Sequence, residues 1–539
     1  MFIRLSKGVS ILCEDVNTIS SIGLSCCGYF IFRGRFYSGE ALQALVRELY
    51  QRKKLSKHIE DFNGCYQIIV VDFDNLLVKV IQDRWGTYPL FYSTINRDFV
   101  LSKDYKKLTQ PHSKLTIEAL AEMVGFGHVM GDKTLIEGIR EVKPHHTYQF
   151  SFDGAGKVSV KEESYWQYHL SFQKADFKQK SKEFAELWSQ QMKIMCMGMQ
   201  DIPGAAFIPL SAGLDSRLLA AEVDRYQMPQ YNLTFGSGTH NLEIDTAIEV
   251  SRKLDKSIGH YILNINQAGY DNVLTDSHHT NRITNGYFAE KDLWFPKKMK
   301  DNLSCVVSGH SGDFMAGSHL KSKMKLWKSI DQVIYYMVSF KSTPLCKYLF
   351  DNNSDFREII TESLKKELGN PDDLVNAFMR WDLEERQRRY IMRSVIGEEH
   401  QDLPLVIMPF FDYKMMDFFA DLPFSFLLNT ELYRDSVAKY ILKDKPQLSS
   451  IKVNGRELNP TVKGVTYEYY IKFCDYFKLG KKNTRVFDAT INWEQMSSSL
   501  DMPSILPAEW MDPAFFATSY RLYYVLSEVN KELKTICSQ

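Results

Sequence analysis

The sequence predicts an α/β protein in two parts, a strand-rich N-terminal third followed by a unit built on a doubly wound parallel sheet with a helical C-terminal part. Three observations carry this reading. Ala206 to Ala221, AFIPLSAGLDSRLLAA, reads as a buried strand, a turn of small residues and a helix. Short apolar runs then alternate with helical spacing as far as Val307, the pattern of a parallel sheet. Before residue 152 the dominant pattern is β-branched runs separated by turn residues.

In chain order, Cys65–Asp72 (CYQIIVVD) and Leu76–Gln82 (LLVKVIQ) are two such runs divided by Phe73-Asp74-Asn75, which predicts a hairpin. A short strand is expected at Phe99–Ser102 and a helix at Thr116–Val124, before Gly125-Phe126-Gly127. Tyr165-Trp166 marks the end of the first domain, placing it at residues 1–165 and the second at 170–539. A helix is expected from Lys174 towards Met199. Strand Ala206–Leu210 leads to a helix over Arg217–Tyr226. Strands at Tyr231–Phe235, His260–Leu263 and Leu303–Val307 are separated by a helix at Leu242–Leu254 and a longer helical region ending near Lys300. From Asp313 onward the chain reads helical, and beyond about Asn459 nothing specific stands out.

Length allows two or more domains, each with its own core. Lysine plus arginine and aspartate plus glutamate balance at 66 each, so no nucleic-acid or acidic-membrane partner is expected. No run of eighteen apolar residues predicts a membrane span. The nine cysteines are scattered without a C-x-x-C pair, and the N-terminus lacks a signal-peptide pattern, which together predict a cytoplasmic protein with reduced thiols.

The chemistry is expected at the carboxyl ends of the strands, where ligands sit in such sheets. Ser211-Ala212-Gly213-Leu214-Asp215-Ser216 follows the first strand of the second unit. Main-chain N–H groups at the positive end of a helix suit phosphate or pyrophosphate. Gly213 keeps a Cβ out of the way, and Ser211 and Ser216 add hydroxyl donors. Asp215 would repel phosphates unless a cation lay between, so Mg²⁺ is expected. Ser308-Gly309-His310-Ser311-Gly312-Asp313-Phe314 directly follows the fourth strand, so it falls at the same edge of the sheet and carries an aspartate of its own, Asp313. An aspartate in a Gly/Ser loop is usually a turn former.

Ser211 to Ser216 resembles the pyrophosphate loop S-G-G-x-D-S of the N-type ATP pyrophosphatases, with Ala212 for the first glycine. Asp61-Phe62-Asn63-Gly64-Cys65-Tyr66, Asp83 to Tyr92 and Thr116 to Phe150 resemble the glutaminase half of asparagine synthetases, which implies an N-terminal α/β/β/α sandwich of the N-terminal-nucleophile type. Glutamine-hydrolysing members carry a cysteine after the initiator Met, and here that position is Phe2. The resemblance therefore implies a domain without glutaminase activity, as in β-lactam synthetase. Ser308 to Phe314 resembles the family's S-G-E-G-S-D-E, with His310 and Phe314 replacing acidic residues. A histidine of ordinary pKa, about 6.5, is a competent base there; a plain loop residue is the other reading. Met408-Pro409-Phe410-Phe411-Asp412 resembles P-F-L-D, Leu422-Pro423 follows as its companion, and Tyr433-Arg434 matches loosely.

What the resemblance implies is an ATP-dependent ligase. It would adenylate a small-molecule or peptide carboxylate, release pyrophosphate and pass the acyl group to an amine. ATP would be held by Leu210, Ser211, Gly213, Asp215, Ser216, Phe235, Ser308 and Gly309, with Leu210, Phe235 and Gly236 at the adenine, and Mg²⁺ by Asp215 and Asp313. Lys452, or failing it Arg456, is the candidate lysine-type stabiliser of developing charge, and His310 the candidate base. An ammonia-driven asparagine synthetase, a macrocyclase resembling the lasso-peptide cyclases and a nucleotide-binding pseudoenzyme are the rival readings. A homodimer is compatible with all of them.

Overall fold

The computed structural model describes residues 2–6, 9–12, 17–19, 21–94, 99–103, 105–109, 113–153, 157–236, 240–264, 302–392, 405–453 and 458. The region ending near Lys300, Arg456 and everything after 458 lie outside the described residues.

The N-terminal part is a stack of four layers. A seven-stranded antiparallel sheet contains β3 (Asn17–Ile19), β4 (Ile22–Phe32), β5 (Arg35–Ser38), β6 (Asn63–Asp72), β7 (Leu77–Gln82), β11 (His146–Phe152) and β12 (Val158–Ser164). Their order is β12-β11-β7-β6-β4-β3, with β5 paired to β4. A three-stranded sheet, β10 (Ile139–Glu141), β8 (Phe91–Ser93) and β9 (Val100–Ser102), faces it. A further pair, β1 (Phe2–Ser6) and β2 (Val9–Leu12), contains the backbone of Phe2 opposite Leu12.

The alternation along β6 explains the layering. Ile69 and Val71 point towards Tyr92, Phe99 and Leu101 of the smaller sheet. Ile68 and Val70 point the other way, onto Leu42, Val46 and Leu49 of helix α1 (Gly39–Gln51). Helix α2 (Ile117–Phe126) covers the outer face of the three-stranded sheet, where Ala119 and Met123 meet Phe91 and Ile139. The order α1, sheet, sheet, α2 is the expected α/β/β/α sandwich. Ile68 to Val71 within CYQIIVVD is continuously apolar because a strand in the middle of such a stack is covered on both faces.

After helix α3 (Phe177–Gln200) comes a five-stranded parallel sheet in the order β15-β14-β13-β16-β17. Its strands are β13 (Ala205–Pro209), β14 (Gln230–Gly236), β15 (Ser257–Asn264), β16 (Leu303–Val307) and β17 (Leu405–Ile407). Helix α4 (Leu214–Arg225) links β13 to β14, and α5 (Leu242–Arg252) links β14 to β15. The chain then returns to the other side of β13, so the strand order reverses between β13 and β16. Two details differ from the sequence reading. Helix α4 begins at Leu214 rather than Arg217, so Asp215 and Ser216 lie in its first turn. The fifth strand, β17, has only three residues, too short to leave a period-2 signal. Between Gly312 and Ser449 the described residues are largely helical, as expected, and Asp382–Met392 takes the wide π form.

The sandwich and the second unit are joined by buried polar contacts. Asn63 Nδ2 donates to Asp412 Oδ2 at 2.6 Å, and its Oδ1 accepts the Tyr413 N–H at 2.6 Å. Trp85 Nε1 donates to Phe411 O at 2.9 Å, the Met408 N–H donates to Tyr29 Oη at 3.0 Å, and Arg84 pairs with Asp417 at 2.8 Å. Burial pushes the Asp412 carboxyl up to about 6, against the pull of its N–H donors and Asn63. The six cysteines among the described residues are free thiols, and no described helix is long and apolar enough to cross a membrane.

Asn63→Ala leaves a buried carboxylate oxygen and a buried N–H without partners. It is expected to destabilise the full chain by about 2–4 kcal/mol, read as a lower midpoint in urea. A midpoint equal to wild type would show that this contact does not hold the two units together.

Candidate active site

The strand-order reversal places the ends of β13 and β16 side by side, and the two predicted loops leave from those ends. Glycine lets them touch. A Cβ built on Gly312 would lie 2.6 Å from Asp215 Cγ, 2.7 Å from its Oδ2 and 2.9 Å from Phe410 Cζ. One on Gly309 would lie 3.0 Å from the Ser216 nitrogen. The Asp313 N–H donates to Asp215 Oδ2 at 3.0 Å, and Asp313 Oδ1 accepts the Phe314 N–H at 2.8 Å. The structure thus brings Asp215 and Asp313 together, with the Asp313 side chain exposed at the mouth.

The first loop is stitched by its own hydroxyls. Ser216 Oγ accepts the Ser211 N–H at 3.0 Å and lies 2.9 Å from Ser211 Oγ, which accepts the Gly213 N–H at 3.1 Å. Apart from Ser211 Oγ, no heavy atom of the described residues outside its chain neighbours lies within 4 Å of a Cβ built on Gly213. Gly213 has an extended backbone as the cap of α4, so its value here is space rather than a left-handed turn. The Ala212 N–H donates to Glu243 Oε1 at 2.9 Å, so a carboxylate already occupies one of the loop's anion donors. Glu243 lies in the first turn of α5, whose cap Asn241 accepts the Ile244 N–H at 2.9 Å. Burial pushes the Glu243 carboxyl up, partly offset by Ala212.

Electrostatics single out the aspartates. Burial, then the Asp313 charge, pushes the Asp215 carboxyl up to about 7, against hydrogen bonds from Tyr433 and the Asp313 N–H. Tyr433 Oη donates to Asp215 Oδ1 at 2.8 Å, so both carboxylate oxygens are oriented. Two carboxylates held this way are at odds with each other until a cation joins them. Hard oxygen donors fit Mg²⁺, which usually takes one or two carboxylates and fills its shell with phosphate and water. Among the described residues no cluster of three or more His, Cys, Asp or Glu side chains makes an all-protein metal site.

The other predicted residues are distributed around this centre. Ser308 follows β16, and its N–H donates to Ile407 O at 2.9 Å. His310 is half-buried, and burial pushes its imidazole down to about 4 despite Asp313, well below the 6.5 expected of a free side chain. The Leu210 N–H donates to Leu233 O at 2.7 Å, and its carbonyl accepts Thr234 Oγ1 at 2.7 Å, leaving one carbonyl lone pair. Phe235 sits on β14 opposite Leu263; its side chain lies outside the described residues. Lys452 is exposed, and its carbonyl is tied to the first loop. Arg217 Nη2 donates to Lys452 O at 2.8 Å and to Ala212 O at 3.3 Å, while its Nη1 donates to Ile451 O at 2.6 Å.

Arg217, Tyr433 and Glu243 are site residues that the sequence left unassigned. Only Arg217 carried a signal, a charge directly before the apolar run Leu218 to Ala221 in α4, and a fully buried arginine there requires acceptors from elsewhere.

Comparison with known proteins agrees with this layout. A glutamine amidotransferase domain model matches residues 40–166, and an asparagine synthase model matches residues 187–445. Asparagine synthetase [glutamine-hydrolyzing] 3 of Bacillus subtilis (strain 168) is 27% identical over 167 residues, covering 30% of this chain. That match spans 26% of the relative's own length.

Gly312→Ala would force the two loops apart, because the new Cβ meets Asp215 rather than a flexible chain end. The expected result is a fall in Mg²⁺-dependent nucleotide affinity of about tenfold or more, with global stability changed by no more than about 1–3 kcal/mol. Calorimetric titration with Mg-ATP and thermal unfolding measure the two effects. Wild-type affinity in the variant would mean the loops need not touch.

Proposed function

The chain belongs, by its domain layout, to the asparagine synthetase family, and from that premise we propose that it is an ATP-dependent, AMP-forming carbon–nitrogen ligase. A substrate carboxylate attacks the α-phosphate of ATP, pyrophosphate leaves, and an amine displaces AMP from the acyl-adenylate. The observation that carries this reading is the contact between the Asp215 and Asp313 loops at the reversal of strand order.

Each residue then has a task. Asp215, oriented by Tyr433, and Asp313 hold Mg²⁺, which when bound offsets phosphate charge. The N–H groups and hydroxyls of Ser211 to Ser216 receive pyrophosphate, with Glu243 giving way at Ala212. Leu210 and Phe235 line the adenine side, and Ser308 and Gly309 close the second wall. Lys452, placed by Arg217, supplies positive charge to the reacting carbonyl. The unit boundary falls between residues 165 and 170.

The amine in this proposal is not released from glutamine by this chain. Phe2 has no nucleophilic atom. Burial pushes the Cys26 and Cys65 thiols upward, so neither supplies a thiolate. The carboxylate is a small molecule or a peptide side chain, and the setting is cytoplasmic, with a homodimer compatible.

The test is ATP–pyrophosphate exchange over a panel of carboxylic acids, with glutamate release from glutamine followed in parallel. Exchange is expected with at least one acid, no glutamate above a boiled control, and loss of at least about a hundredfold in Asp215→Asn. Near-wild-type exchange in that variant would remove the metal assignment.

His310 is the proposed base for the attacking amine. Because its imidazole is held near about 4, it is neutral and able to accept a proton throughout the neutral range. His310→Ala should leave exchange intact and slow amide formation from preformed adenylate by about a hundredfold. The ratio of wild type to variant should stay level down to about pH 5.5 and close only as His310 itself protonates. A ratio that falls around pH 6.5 would contradict the buried, neutral imidazole; equal loss of both half-reactions would make His310 a shaper of the loop.

A further inference from the structure

Ser311 stands in the left-handed region with φ 63°, one residue before Gly312 and two before Asp313. A side chain with a Cβ is disfavoured there, so something must hold it. Ser311 Oγ donates to Gln387 Oε1 at 2.9 Å, and both residues are buried. Gln387 lies inside the π-helix Asp382–Met392. At its start, Asp382 pairs with His319 at 2.6 Å and Lys341 at 3.2 Å. The two residues after Gln387 face the sandwich. Arg388 Nη1 lies 3.3 Å from Glu141 Oε1, and Arg389 Nη1 lies 2.9 Å from Glu141 Oε2. Arg389 also donates to Gly131 O and, at 2.9 Å, to Glu385. Glu141 ends β10, and all three charged side chains are almost completely buried.

Three consecutive residues therefore span the joint: 387 grips the site loop, and 388 and 389 grip the N-terminal sandwich. We propose that Gln387 is a positioning residue that selects the left-handed turn at Ser311, and that Glu141 fixes Gln387 by anchoring its helix, so that the sandwich braces the Asp313 loop. This rests on the reading of Asp313 as a site residue. The widened helix suits the task, because an α-helix would rotate neighbouring side chains by a different angle, and π segments recur at functional sites. Buried ion pairs contribute little net stability but fix one arrangement firmly once formed, since breaking one leaves an unpaired buried charge.

The test uses the full chain and two readouts. Amide hydrogen exchange of the peptide covering residues 309–316, without nucleotide, reports the loop itself. The Mg-ATP dependence of ATP–pyrophosphate exchange reports its consequence. Gln387→Leu should speed exchange in that peptide and raise the apparent KM for Mg-ATP by about tenfold, with little change in kcat. Ser311→Gly placed on top of Gln387→Leu should restore KM to within about threefold of wild type, because glycine adopts the turn unaided. Ser311→Ala, which keeps the Cβ and loses the hydroxyl, should be impaired more than Ser311→Gly. Glu141→Gln should loosen the same peptide, and combining it with Gln387→Leu should add little, since both act through one connection.

Absence of glycine rescue, or full additivity of Glu141→Gln with Gln387→Leu, overturns the proposal. Unchanged loop exchange in Gln387→Leu overturns it whatever the ligand. If wild type exchanges pyrophosphate with no acid, the ligase reading fails and the loop measurement still decides this one. Thermal unfolding of each variant separates loop loosening from global loss of fold, and Ser311→Gly in the wild-type background tests the turn without touching the buried helix.

Discussion

Asp215 accepts the main-chain N–H of Asp313 while its other oxygen accepts Tyr433 Oη, and the geometry of the site depends on that pair of bonds. They fix two acidic side chains at adjacent strand ends. Placing acids side by side is unfavourable in the protein alone, as the rise of the Asp215 carboxyl to about 7 records. The parallel sheet supplies the constraint that offsets this. β13 and β16 are hydrogen-bonded neighbours, so the ladder holds the starts of their loops side by side. Glycine at 309 and 312 removes the side chains that would otherwise keep the loops apart. The result is a paired carboxylate edge that a hard cation relaxes.

The rest of the site is assembled from distant stretches of chain. Tyr433 reaches Asp215, Arg217 carries the carbonyls of 451 and 452 to that of Ala212, and Glu243 holds the Ala212 N–H. A fully buried guanidinium that makes no ion pair among the described residues is costly, and Arg217 meets that cost with four main-chain carbonyls. This is how the segment bearing Lys452 comes to lie beside the Ser211–Ser216 loop without a helix or strand of its own. Burial lowers the Arg217 pKa to about 10, still far above neutrality, so the guanidinium stays charged.

How legible this was depended on range. The apolar run Ile68 to Val71 announced a strand because a two-sided core demands apolar residues on both faces, and the loop at Ser211 stood out because small residues, hydroxyls and a helix start come together in sequence. Both are local demands. β17 was not legible, since three residues leave no periodicity. The start of α4 was placed three residues late because Leu214-Asp215-Ser216 looks like turn composition, whereas a helix beginning at a glycine cap takes Asp and Ser readily in its first turn. The charged stretch Arg386-Gln387-Arg388-Arg389 has the composition of a solvated helix face. The structure buries Gln387, Arg388 and Arg389, because Glu141, more than two hundred positions earlier, supplies the countercharge. Likewise Tyr433 gave no sign of its partner. Such pairings are set by tertiary placement, which no window of sequence contains.

The same distinction bears on the N-terminal sandwich. Its expected nucleophile would occupy one position, and Phe2 there costs the rest of the domain little. Removing the sandwich would be different in kind. Arg388 and Arg389 would lose Glu141, Asp412 would lose Asn63, and the Met408 and Phe411 main chain would lose Tyr29 and Trp85. Several of those groups are buried and polar, and each would be left without its partner in the segment that leads from β17 towards the site. The sandwich is therefore physically necessary to its neighbour whatever chemistry it carries itself. The presence of the fold is evidence about packing, and the chemistry has to be read from the side chains at the loops.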